Sequence, residues 1–190
     1  NHNHNDTGSL ILYKNGEPLL VDIGVESYTR KTFSALRYEI WTMQSGYHNL
    51  PSIEGVDQRN GPQYRASDVY TKLDRERALI CMNLAGAYPL PGPDSVYTRE
   101  VLLDKELDSM TLTDTTNCGN VILNFIVGPE PEIFGNQICL ADAVLDFEGA
   151  DLLAVERLPI TDERLLTAWN HDLYRIRLSM TSKCFKLNIK

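Results

Sequence analysis

The sequence predicts an all-β protein, a multi-stranded antiparallel β-sandwich with at most one or two short helices. Three observations predict it. Apolar and β-branched runs are short, as in strands. Turn signals separate them at regular intervals. Helical periodicity is weak throughout. Hydrophobic residues make up 43% of the 190, so a packed core is expected rather than disorder.

The elements follow in order. Ser9 to Lys14 is an apolar run that stops at Asn15-Gly16, a pair favouring a two-residue hairpin turn. Pro18 to Gly24 reads as the returning strand. Further strands are expected at 37–41, 78–82, 96–103, 109–113, 121–127, 152–157, 174–180 and 184–189. Between them stand Glu54-Gly55, Asn60-Gly61-Pro62, Gly128-Pro129 and the segments 89–93, 117–119 and 147–149, rich in turn formers. The best helical segment is 162–169, about two turns, with Thr161 as its N-cap. No repeat or linker interrupts the pattern, so residues 1–190 read as one domain.

Charge and cysteine usage narrow the function. The formal charge is -8, from 18 Lys+Arg against 26 Asp+Glu, which argues against nucleic acid or an anionic membrane as the partner. No apolar run approaches the roughly 20 residues of a membrane span. Cys81, Cys118, Cys139 and Cys184 form no CxxC pair, which argues against a cysteine zinc site or a redox motif. Their disulfide status stays open between free thiols and paired arrangements. The opening Asn1-His2-Asn3-His4-Asn5-Asp6 has no Met and no leader, and reads as the start of a fragment.

Candidate chemistry begins in that opening. In an extended strand alternate side chains share a face. His2, His4 and Asp6 would then lie together, opposite Asn1, Asn3 and Asn5. Two imidazoles and a carboxylate make a metal or acid–base cluster; a solvated polar terminus is the alternative. Asp22 interrupts the apolar run from Leu19 to Gly24, where a carboxylate needs a cation or a metal. The hairpin would carry it back towards the residues before Ser9. His48 follows Tyr47 and precedes Asn49. His4, Asp22 and His48 together offer two nitrogens and one oxygen, a donor set that suits zinc.

These elements resemble the start of the C-terminal domain of heparinase II/III-like proteins, which include heparin, heparan and alginate lyases. The resemblance rests on His2-Asn3-His4-Asn5-Asp6-Thr7-Gly8-Ser9, then Asp22-Ile23-Gly24, then His48-Asn49 with Ile53-Glu54-Gly55, and extends weakly to Leu173-Tyr174-Arg175-Ile176. It implies a structural zinc on His4, Asp22 and His48. It also implies that His2 assists proton transfer at the edge of a cleft, and that Asn1 helps neutralise a substrate carboxylate. The reaction implied is β-elimination in a uronate-containing polysaccharide. The family's main catalytic tyrosine belongs to an N-terminal α/α toroid, which is not expected within 1–190. The fragment alone is therefore expected to be inactive, with the toroid and an acidic polysaccharide as its partners. Export to the periplasm or the cell exterior is a further implication of the family.

Other residues fit that picture less specifically. Arg30, Lys31, Arg37, Arg59 and Arg65 could form a basic surface near a cleft. Tyr47 is the leading aromatic for stacking on a sugar ring, because it adjoins His48. A non-catalytic sandwich that binds carbohydrate or props a neighbouring domain is the alternative function. A cupin-type metal enzyme fits poorly, since Asp22 lies too far beyond the His-x-His pair.

Overall fold

A computed structural model describes residues 3–141 and 143–189. Its fourteen strands form two antiparallel sheets, and no α-helix occurs among the described residues. The expected sandwich is therefore observed.

The first sheet contains β1 (Leu12–Lys14), β2 (Glu17–Leu20), β3 (Pro51–Ile53), β8 (Val121–Val127), β12 (Ala150–Leu158) and β13 (Leu173–Met180). Its order is β1-β2-β8-β13-β12, with β3 also on β8. The second sheet is formed by β4 (Ser67–Leu73), β5 (Arg77–Asn83), β6 (Tyr97–Asp104), β7 (Ser109–Thr116), β9 (Glu132–Phe134), β10 (Gln137–Leu140), β11 (Ala143–Glu148) and β14 (Cys184–Ile189). It runs β4-β5-β6-β7-β14-β11-β10-β9.

The Asn15-Gly16 hairpin forms as expected. Both residues have positive φ, 53° and 86°, which a tight turn matching the strand twist requires. The main core lies between the sheets. Leu123, Phe125 and Val127 of β8 face Leu112, Leu187 and Phe185 of the second sheet within one buried cluster, and the Phe125 and Phe185 rings lie 6.0 Å apart.

β8 is buried on both faces. Ile126 points away from the main core into a second cluster with Val21, Ile23, Leu158, Ile160, Leu165 and Leu173, against which Trp41, Tyr47 and Trp169 pack. A cap of irregular chain therefore covers the outer face of the first sheet. It contains short 3-10 turns at Lys31–Phe33, Ala35–Glu39, Trp41–Met43 and Ser45–Tyr47.

Two local expectations fail here. The strand expected at 37–41 is replaced by these turns. The Ser34 hydroxyl accepts the Leu36 N–H and starts one of them. The Arg37 guanidinium is buried inside the cap, where it donates to the carbonyls of Asn3 and Thr32. A strand would withdraw it from both. The helix expected at 162–169 shrinks to one 3-10 turn, Leu165–Thr167. Asp162, not Thr161, accepts the N–H groups of Arg164 and Leu165. Only Leu165 of that turn is buried, so no apolar stripe sustains a longer helix. All four cysteines are free.

Candidate metal centre

The leading segment is not a strand. It is an irregular run stitched to the cap and its neighbours. The Asn5 N–H donates to Met43 O, and its carboxamide donates to Gln58 O. The Gln58 side chain accepts from Thr7 N and donates to Thr7 O. Asn5 is thereby buried while Asp6 stays exposed, and His4 is half-buried on the other side of the chain. Asp6 consequently does not share the cluster expected of it.

Gly8 closes this segment for two reasons. Its φ is +83°, and a Cβ there would stand 2.6 Å from Leu84 Cδ2. Leu84 is fully buried and has no room to yield. Gly8→Ala is expected to cost about 1–3 kcal/mol, read as a fall in the urea midpoint without a change in slope.

His4, Asp22 and His48 converge. One ligand atom from each lies within 4.8 Å of the others. The His4 and His48 ring centroids are 5.3 Å apart. Asp22 lies just beyond β2, on the chain that Val21 N ties to Ile126 O. One Asp22 oxygen accepts the Gly24 N–H at 2.8 Å. The other lies 3.1 Å from His48 Nδ1.

His48 carries the decisive observation. Its side chain is completely buried, yet apart from the Asp22 carboxylate beside Nδ1 neither ring nitrogen has a partner, and Nε2 has none at all. Buried polar atoms are nearly always partnered, and an orphan costs about 1–3 kcal/mol. A bound cation would remove that cost. Ligand atoms on a tetrahedral zinc stand about 3.3 Å apart at bond lengths of about 2.0–2.1 Å, so the widest pair needs to close by at most about 1.5 Å. The residues fit the ion in type, in number and in burial.

The electrostatics favour the ligand forms. Burial, reinforced by the His48 imidazole, lowers the pKa of His4, which keeps it neutral and able to coordinate. Burial pushes Asp22 up, but the His48 imidazole and the Gly24 N–H outweigh it and hold the carboxyl below its usual range. Asp22 is therefore ionised at neutral pH.

The remaining candidates are placed as follows. Asn1 and His2 lie outside the described residues. The Tyr47 ring packs edge-on against Trp41, with centroids 5.1 Å apart, and the Arg175 guanidinium sits 4.2 Å above it. It lines a cavity of about 210 Å3 with Glu26, Trp41 and Asp162. Of the cations, Arg37 is buried and Lys31 pairs with Glu39 at 3.0 Å, while Arg30, Arg59 and Arg65 are exposed. The expected basic surface thus shrinks to these three.

Sequence reasoning missed the residues that support the centre. Asn49 is fully buried and fully hydrogen-bonded, and Arg99 reaches it from the second sheet. Arg99 and Asp114 are register partners on β6 and β7. Both stand at inward positions of strands that otherwise bury apolar groups there. Opposite charges at two inward positions were the available signal.

The family model described as Heparinase II/III-like, C-terminal, matches residues 1–119. No curated protein matches the chain.

Proposed function

The chain belongs to the heparinase II/III-like family through that C-terminal domain, and on this premise we propose that it forms the sandwich wall of a polysaccharide lyase cleft. The observation that supports the reading most is the convergence of His4, Asp22 and His48 around an otherwise orphaned buried imidazole. In this reading the three side chains hold a structural zinc. Zinc when bound cross-links the leading segment, the chain after β2 and the loop before β3. Held at His4, the segment presents His2 two residues earlier.

The substrate in this reading is a uronate-containing glycan such as a glycosaminoglycan or alginate. Removal of the C5 proton develops negative charge next to a carboxylate that is already charged. The Asn1 carboxamide can donate to that carboxylate and spread the developing charge. The C5 proton passes to a base, the C4–O bond breaks, and the leaving oxygen takes up a proton. His2 has a side chain that titrates near neutrality and suits one of these transfers. The family's N-terminal toroid supplies the other wall and the tyrosine. Tyr47 is assigned to the rim, where its ring edge can meet a sugar. Export to the periplasm or exterior accompanies this reading. Among the described residues no helix is long and apolar enough to cross a membrane.

The test is the absorbance of the unsaturated uronate product. A protein joining residues 1–190 to the toroid is expected to form it, and 1–190 alone is not. His2→Ala in the joined protein is expected to lower turnover at least about 10²-fold with zinc content unchanged. Binding of the glycan by the joined protein without cleavage would favour a non-catalytic sandwich instead.

A further inference from the structure

Asn49 occupies a gap in the first sheet. One edge of β8 is shared by two short strands. β2 pairs with it only at Val127, through Leu20. β3 pairs with it from Val121 to Leu123. Between them Asn124 N reaches Leu50 O, but Ile126 N has no strand to donate to. It donates instead to the Asn49 side-chain oxygen at 2.7 Å. The Asn49 carboxamide nitrogen then donates to Leu10 O at 2.7 Å and to Val21 O at 3.0 Å. Its backbone N–H donates to Ser9 Oγ, and its carbonyl accepts from Arg99.

Three of those partners lie on chains that deliver a ligand. Ser9 and Leu10 end the segment carrying His4. Val21 is bonded directly to Asp22. His48 is the residue before Asn49. One carboxamide therefore spans the three segments whose side chains converge. We infer that Asn49 is the positioning residue of the metal centre: its side chain holds the three ligand-bearing segments in register, and zinc affinity depends on it. This inference rests on the metal reading above.

Asn124 supplies the comparison. It is also buried on β8, and its carboxamide donates to Leu50 O at 2.9 Å, but it touches only the chain after His48 and does not join it to the segments carrying His4 and Asp22. Both asparagines contribute buried hydrogen bonds, so a merely structural role predicts similar behaviour on truncation. The experiment measures zinc affinity by chelator competition on the 190-residue chain, with folding followed by circular dichroism. Asn49→Ala is expected to raise the zinc dissociation constant about 10–100-fold, while Asn124→Ala leaves it nearly unchanged. Equal affinities in the two variants would overturn the positioning role.

Asn49→Asp is the second variant, should the alanine chain fail to fold. It keeps the volume and the acceptor for Ile126 N but withdraws both donors from Leu10 O and Val21 O. It is expected to weaken zinc binding while the Ile126 amide stays protected from hydrogen exchange. Unaltered affinity in this variant would also overturn the role. An unsubstituted chain that binds no zinc would instead sink the metal reading, and this inference with it.

Discussion

Asp114→Ala is expected to destabilise the protein by about 3–5 kcal/mol. Asp114 is completely buried, and its partner Arg99 is almost so. The pair is bidentate: Arg99 Nε donates to one carboxylate oxygen at 2.9 Å and Nη2 to the other at 2.7 Å. The Tyr97 hydroxyl adds a third bond to the carboxylate at 2.7 Å. Burial alone would lower the Arg99 pKa, but the Asp114 charge outweighs it and the guanidinium is held charged. Without Asp114 that charge stays in the core, with only the carbonyls of Gly8 and Asn49 facing Nη1. The comparison is the Arg157–Asp172 pair, whose arginine side chain is 69% exposed. Asp172→Ala removes a solvent-screened contact and the Ile160 N–H acceptor, and is expected to be far less damaging. Urea unfolding of both variants checks the contrast. The double variant Arg99→Met with Asp114→Leu is expected to be much less damaging than Asp114→Ala, because no lone charge remains buried. If Asp114→Ala cost no more than Asp172→Ala, the Arg99 charge would not depend on Asp114 for its place in the core.

The sequence carried the two ends of this architecture unevenly. Strand β8 and strand β14 were legible to their boundaries at 121–127 and 184–189, because continuous or alternating apolar residues set both apart from the flanking polar chain. The hairpin was legible because Asn15-Gly16 suits few other conformations. Asp22 stood out as a charge in an apolar run, and His4 and His48 gained meaning only from the resemblance. β4 was not legible. Every one of its residues is exposed, so no face imposes a period of two. The cap over β8 was misread as strand, because what organises it is the buried Arg37 and a series of local turns rather than a periodic apolar face. In the sequence Asn49 stands out only as the neighbour of a histidine. Its role depends on a gap in a sheet between residues that are distant in sequence, and no local pattern reports such a gap.

Zinc is expected to raise the melting temperature, and the size of the rise follows from the site. At free zinc about 100-fold above the dissociation constant, the folded state gains about 2.7 kcal/mol. For a chain of this length each kcal/mol shifts the midpoint by about 2–4 °C, so the rise is roughly 5–11 °C. Chelator should reverse it. Asp22→Asn keeps an oxygen for the Gly24 N–H but removes the charge, and is expected to shrink the rise sharply. His48→Leu gives the more demanding comparison. In the zinc-free chain the His48 Nε2 is buried without a partner, an arrangement costing about 1–3 kcal/mol that an apolar side chain of similar volume avoids, although such a side chain also gives up the contact of Nδ1 with Asp22. His48→Leu is therefore expected to stay close to the zinc-free parent in stability, the relieved Nε2 offsetting the lost Asp22 contact, yet to fall below the zinc-loaded parent and to ignore added zinc. Calorimetry with and without chelator reads both orders. A His48→Leu chain far less stable than the parent in chelator would mean that the imidazole is satisfied by the protein alone, and the case for a cation among His4, Asp22 and His48 would lose its strongest support.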